Sequence, residues 1–247
     1  MSLYCQLKNV EEWKAILDAV SAITEEIMFI VNTDGIGFRC VDSSHVALLD
    51  ITFPKSSFEK FEGKTSFFGL RVENFKTAID SAGNNDVIDL HLDDKSMQMK
   101  ISGSLNMKYK LRLLEKSDVN QPVPKCSYKS KVSMQPSTLA RILSNLERYS
   151  EFVSINASSN HIKFSGKGDS GDADIDMDSN SPEITSISSP EKIISNYSLE
   201  YMIKVIRGIG KASKMVNMEY DTDKPMRLDF DMPSTIMVKY YLAPRVE

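Results

Sequence analysis

This chain nearly repeats itself, and that constrains its fold more than any motif does. Four segments carry apolar residues at helical spacing: Trp13, Ile16, Leu17 and Val20; Val72, Phe75, Ile79 and Ala82; Leu139, Ile142, Leu143 and Leu146; and Met202, Val205, Ile206 and Ile209. They predict helices near 10–22, 72–82, 136–149 and 199–213. Ile16–Leu17 and Ile142–Leu143 lie 126 residues apart, as do Ile36-x-Phe38 and Ile162-x-Phe164. Phe75 and Met202 are 127 apart, and Lys95 and Lys224 are 129 apart within the similar stretches "DDKSMQMKI" and "DTDKPMRLDF". One offset therefore nearly holds across helices and strands alike. Between the helices, stretches such as "SMQMKISG" and "PMRLDFDM" alternate apolar and polar residues, the pattern of half-buried antiparallel strands. The expected fold is α+β, two copies of one unit, each with a helix, strands, a second helix and more strands. Residue identity between the halves is low, so chance likeness of amphipathic patterns is the competing reading.

The stretch "EKSDVNQPVPKCSYKSK", residues 115–131, holds Pro122 and Pro124 and has little periodicity. It marks an extended linker between expected domains 1–114 and 132–247. It serves either as a plain connector or as a docking segment with free backbone groups. At 41% hydrophobic and 26% charged residues, the chain has the composition of a soluble globular protein. Its longest apolar run, Ile27 to Val31, is far short of the roughly 20 residues that span a bilayer. The start "MSLYCQLKNVEEW" lacks the basic and apolar regions of a signal peptide, so an intracellular protein is expected. Cys5, Cys40 and Cys126 are odd in number, widely spread and without metal-ligand spacing. Reduced thiols, no metal and no cofactor are the expectation.

The net charge of −4 argues against nucleic-acid binding unless cations gather on one face. They do on the fourth helix, where Lys204, Arg207, Lys211 and Lys214 fall opposite the apolar stripe, within roughly 80° of each other. On the third, Ser137, Arg141, Ser144 and Arg148 do the same. These are either solvated faces or phosphate contacts. The first two helices weaken the second reading, since they expose Glu11, Lys14 and Asp18, and Glu73, Thr77 and Asp80. No aromatic residue interleaves the cations and no base-reading motif is present, so any nucleic-acid contact would be to the backbone and independent of sequence. Two strand-like runs carry opposite charge: "KYKLRLLE" with Lys108, Lys110 and Arg112 on one face, and "GDADIDMDS" with Asp172, Asp174, Asp176 and Asp178 on one face. As edge strands they are either blunted against aggregation or built to associate head to tail, which closes a ring if the rotation permits.

Asp42, Ser43, Ser44 and His45 have the composition of a hydrolase triad. In an extended chain, however, Ser43 and His45 share one face and Asp42 takes the other, whereas a triad needs one hydrogen-bonded line. His91 and His161 are isolated, and the elbow, phosphate-loop and zinc-protease motifs are missing. No catalytic site is expected.

The stretch "VDSSHVALLDITFP" (41–54) together with the terminus "YYLAPRVE" (240–247) resembles the sliding clamps of the proliferating cell nuclear antigen family, and the two-copy layout and linker agree. The absence of a longer acidic tail is similar to the archaeal members. The resemblance covers the whole chain. It implies two clamp domains per subunit and three subunits in a closed head-to-tail ring, with helices inside, antiparallel sheets outside and duplex DNA through the centre. It implies subunit contact through 108–114 and 173–179, hence Lys108, Lys110, Arg112, Asp174, Ile175, Asp176 and Met177. It places a client-peptide pocket at Val41, His45, Val46 and Leu48, at Val123 and Pro124, at Pro233, and at Tyr241, Leu242, Ala243 and Pro244. Lys14, Arg141, Arg148, Arg207 and Lys211 match the channel cations, and Lys204 joins them on its helix stripe. The implied role is a non-enzymatic processivity factor. Its partners would be double-stranded DNA, DNA polymerase, a clamp loader, flap endonuclease, DNA ligase and, as a homotrimer, itself. The implied location is the cytoplasm at the nucleoid for an archaeal protein, or the nucleus for a eukaryotic one. A heteromeric or checkpoint-type clamp subunit is the alternative, but one chain carrying both charged edges favours the homotrimer. The family often has more Lys on the first two helices, and its linker is less basic than Lys125, Lys129 and Lys131 make this one.

Overall fold

The computed structural model describes residues 3–115 and 122–245, so linker residues 116–121 and the last two residues of the terminal motif lie outside the described residues. The chain divides into two compact units. The first comprises Met1–Ser43, Leu49–Pro122 and Met232–Val238; the second comprises Ser44–Leu48, Val123–Asp231 and Lys239–Glu247. The main break, at Pro122/Val123, falls inside the expected linker. The short exchanged segments have no signal in the repeat.

The first half runs β1 (Leu3–Leu7), α1 (Val10–Ser21), β2 (Glu26–Asn32), β3 (Gly35–Val41), β4 (Ala47–Pro54), a 3-10 turn (Lys55–Ser57), β5 (Phe58–Gly63), β6 (Ser66–Arg71), α2 (Val72–Asp80), β7 (Val87–Leu92), β8 (Ser96–Ser102) and β9 (Met107–Arg112). Strand orders are β5-β1-β7-β8-β9 and β4-β3-β2-β6. Asn9 starts α1 by accepting hydrogen bonds from the N–H groups of Glu11 and Glu12. The helices bury their apolar stripes on an aromatic cluster. Trp13 stacks on Phe53 at 4.1 Å, Phe29 stacks on Phe68 at 4.8 Å, and Phe75 sets its edge against both Trp13 and Phe29. Each such pair adds about 0.5–1.5 kcal/mol beyond area burial. The β2–β3 hairpin needs glycine at its close: Gly35 has φ +153°, and a Cβ there would sit 2.1 Å from the Phe53 carbonyl oxygen. Glu12 is 1% exposed on the first turn of α1 and accepts hydrogen bonds from the Ser234 N–H (2.9 Å) and Oγ–H (2.6 Å).

The second half runs β10 (Ser130–Met134), α3 (Pro136–Leu146), β11 (Phe152–Ser159), β12 (His161–Gly168), β13 (Gly171–Asp178), β14 (Ile184–Ser198), α4 (Leu199–Ile209), β15 (Met215–Tyr220), β16 (Met226–Asp231) and β17 (Met237–Leu242). The strand order is β13-β12-β11-β14-β10-β15-β16-β17. Leu139, Leu143 and Leu146 from α3, Met202 and Val205 from α4, and Ile155 and Phe164 from the sheet are fully buried. On the polar side, Lys131, Glu219 and Arg227 lie opposite one another on β10, β15 and β16, and the buried Glu219 carboxylate pairs with both cations. β10 begins at Ser130, two residues before the expected start of the second domain.

The repeat holds at the level of strand partners. β5 pairs with β1 and β6 with β2. The single 15-residue β14 takes both places, pairing first with β10 and then with β11. Each copy also ends alike: the Leu114 N–H donates to the Gly69 carbonyl (2.9 Å) on β6, and the Arg245 N–H donates to the Asn196 carbonyl (2.8 Å) on β14. The four predicted helices all form, but each ends one to four residues early. α4 stops at Ile209, capped by Gly210, where a Cβ would meet the Ile206 carbonyl oxygen at 2.3 Å. Among the described residues, no helix is long and apolar enough to cross a membrane.

Candidate functional site

Three features gather the residues singled out in the sequence. The first is a strip in the second unit. β3 ends at Val41, residues 43–45 turn, and β4 begins at Ala47. This corrects the extended reading of Asp42–His45: His45 adopts φ +57°, a left-handed conformation in which His is enriched among non-glycine residues. Asp and Ser ahead of it favour the turn. The chain end runs beside this segment, with the Ala243 N–H donating to the Val46 carbonyl at 2.8 Å. His45 is exposed, and Val46, Ala243 and Pro244 are half-buried, whereas Leu48, Tyr241 and Leu242 are buried. The solvent-facing strip is thus narrower than the set named from sequence. Val123 and Pro124 are half-buried in a stretch without helix or strand. Val41 (half-buried) and Pro233 (exposed) belong to the first unit, where Ser234 next to Pro233 is held by Glu12.

The second feature is the basic helix face. Lys204 and Arg207 lie on α4 and Arg141 on α3. Arg148 and Lys211, expected on those helices, lie beyond them. The chain leaves α3 through N–H bonds from Tyr149 and Ser150 to the Leu146 carbonyl, and leaves α4 at Gly210. The face is also less one-signed than its sequence. Arg141 pairs with Glu183 at 3.2 Å, Arg207 with Glu147 at 3.2 Å, and Lys204 with Glu200 at 2.6 Å. The last pair is legible as an i,i+4 spacing. The first two join separate elements and leave no local signal. In the first unit, Lys14 donates to the Ala82 carbonyl at 2.6 Å, just beyond the end of α2, so its ammonium is held at a chain turn. Lys76, not singled out from sequence, bridges Asp18 (2.8 Å) and Asp80, the acidic residues expected to be exposed there.

The third feature is a pair of free strand edges. Among the described residues, β9 pairs only with β8 and β13 only with β12. Lys108, Lys110 and Arg112 are exposed along β9, with Met107, Tyr109 and Leu111 half-buried between them. Asp172, Asp174, Asp176 and Asp178 are exposed along β13, with Ala173, Ile175 and Met177 half-buried. The neighbouring β12 already touches the acidic row: Lys163 pairs with Asp174 at 2.8 Å, and His161 lies 3.4 Å from Asp176. Hydrogen bonds from Lys163 and Ser165 hold the Asp174 carboxyl below its ordinary pKa.

Among the described residues, no three His, Cys, Asp or Glu side chains gather as a metal site. Burial pushes the Cys40 thiol up to about 12 and the Cys5 thiol higher still, so neither is a nucleophilic thiolate at neutral pH.

Two tandem α+β units, each with two helices packed on antiparallel sheets, define a duplicated protein of the clamp fold. The chain belongs to the proliferating cell nuclear antigen family: the N-terminal domain of that family matches residues 3–119 and its C-terminal domain residues 122–245. It is 37% identical over 248 residues to the DNA polymerase sliding clamp of Nitrosopumilus maritimus, covering 100% of both chains. It is 36% identical over 247 residues to that of Cenarchaeum symbiosum, covering 100% of this chain and 99% of the other. The crystal structure of PCNA from Thermococcus kodakaraensis shares the fold, with TM-score 0.93 and 19% identity over 99% of this chain and 100% of the other. A PCNA2–PCNA3 complex from Sulfolobus tokodaii does so with TM-score 0.90 and 20% identity, at the same coverage.

Proposed function

We propose that the chain is a DNA sliding clamp: a non-enzymatic ring, assembled from copies of this chain, that encircles duplex DNA and tethers DNA polymerase to it. The observation that carries the ring is the pair of free, oppositely charged edges, β9 and β13, on one chain. Two different complementary patches make a heterologous contact, which closes into a ring when the rotation between copies permits. Full-length similarity to archaeal proteins named DNA polymerase sliding clamp supports the role and a DNA-associated, cytoplasmic location. Three copies close the ring, and residues 115–131 connect the two domains of each. The exposed cations of α3 and α4 touch phosphates without reading bases. Clients such as polymerase, clamp loader, flap endonuclease and ligase dock short motifs on His45, Val46, Ala243 and Pro244, with Val123 and Pro124. Half-buried apolar groups beside backbone donors suit such motifs. The decisive experiment measures polymerase run length on primed circular DNA, with an archaeal-type loader and ATP, with and without the protein. Longer runs are expected, and unchanged runs would sink the assignment. The mass of the purified chain alone separates a homotrimer from a subunit that needs paralogues: a strict monomer excludes the homotrimer.

A further inference from the structure

We infer that Glu147 and Glu183 set how loosely the second unit holds a duplex, by competing with phosphates for Arg207 and Arg141. The inference rests on the clamp reading and adds to it two residues that no basic stripe contains. The Arg141 side chain is 66% exposed, with Nη2 3.2 Å from Glu183 Oε1; that of Arg207 is 60% exposed, with Nη2 3.2 Å from Glu147 Oε2. The carboxylates are themselves 37% and 47% exposed. All four groups are therefore within reach of a third charge. Each contact uses one guanidinium nitrogen, and a guanidinium has five N–H donors, so the others can meet a phosphate. A phosphate on this face finds cations that are accessible but already partly neutralised.

The physical consequence lies in the steepness of phosphate binding. Each phosphate neutralised raises the salt slope of duplex affinity by about 0.9, so a few unopposed cations convert a weak grip into a tight one. A ring that encloses DNA needs no tight grip to stay on, and a tight grip opposes sliding. Exposed ion pairs are weak and exchange with solvent, so a glutamate 3.2 Å away lowers the local potential without blocking the contact. Glu147 caps the end of α3 and Glu183 directly precedes β14, positions fixed by where those elements stop rather than by the helix period. The plainer alternative is that the pairs only fasten α3 to α4 and to the turn before β14.

The test is duplex binding by the full-length protein. The double variant Glu147→Gln/Glu183→Gln, confirmed to have the parent's oligomeric mass, is titrated with a short linear duplex across a salt series. Its diffusion is then followed along a stretched duplex. The control is Glu191→Gln, which removes another exposed glutamate, paired with Lys129. The double variant is expected to bind about tenfold tighter near 50 mM salt, with a slope steeper by about 1–2, and to diffuse more slowly. The control is expected to stay within about twofold of the parent, since its charge lies off the helix face. Parent-like affinity and diffusion in the double variant overturn the inference, as does an equal gain in Glu191→Gln, which would reduce the effect to net charge. Arg141→Ala/Arg207→Ala separates the two levels of the argument: weaker binding there, with no gain in the double variant, overturns the inference and leaves the clamp reading standing. Duplex binding by none of the proteins at the lowest salt overturns the inference, while the clamp reading stands or falls with polymerase run length.

Discussion

Asp221 directly follows β15 at the start of its turn and is buried, with the Lys224 ammonium at 2.8 Å and the Thr222 N–H at 2.9 Å on its carboxylate. Burial alone pushes this carboxyl up, but Lys224 and Thr222 outweigh it and hold the pKa below the ordinary value. A carboxyl whose folded pKa is depressed stabilises the fold above its unfolded pKa of about 3.9 and loses that contribution as pH falls through the folded value. Asp221→Asn is therefore expected to cost about 1–2 kcal/mol at pH 7, read by denaturant unfolding. The gap to the parent should narrow as pH falls below the unfolded pKa of about 3.9; a gap of constant size would exclude the carboxylate as its source. Single residues are also where sequence reasoning reached least. Glu12 looks like an ordinary first-turn acid next to Glu11, yet it is buried against Ser234, 222 positions away. The left-handed turn at His45 was not legible, because a positive φ leaves no trace in the alternation of apolar and polar residues.

At the scale of elements, the apolar period carried most of the information. All four helices and the two charged strands lie where periodicity put them, because burying one face is what each must do. Helix ends were less legible, since they are set by terminal hydrogen bonds and by glycine rather than by the stripe, and Arg148 and Lys211 moved off their helices for that reason. The division of one strand into β5 and β6 in one copy, against the unbroken β14 in the other, was invisible at a fixed offset. The charged edges allow a direct test. Lys108→Glu/Lys110→Glu places like charges against the aspartates of a neighbouring copy and is expected to shift the protein to smaller species by light scattering. Asp174→Lys/Asp176→Lys on the same chain should restore the assembly, because charge complementarity is then re-established in reverse. Assembly unaffected by the first pair of changes would remove β9 from the interface.

For the whole molecule, the duplication was readable because one offset ran through helices and strands together. The exchanged segments 44–48 and 232–238 were not, since they arise from tertiary packing. A closed ring also makes a prediction that no affinity can mimic. Loaded on a nicked circular duplex, the protein should survive a change from low to high salt that releases it from a short linear duplex, because its retention is topological rather than electrostatic. Cutting the circle should then free it at once. Loss from the intact circle at the salt that dissociates the linear complex would mean that it binds DNA without enclosing it. The recurring backbone bond, Leu114 to Gly69 and Arg245 to Asn196, bears on how such a molecule can be rebuilt. Both copies release the chain from the same anchorage, one into a linker and the other toward the terminus. A 115–131-like tether grafted directly after Arg245 is therefore expected to leave that hydrogen bond intact, as the native linker leaves the one at Leu114.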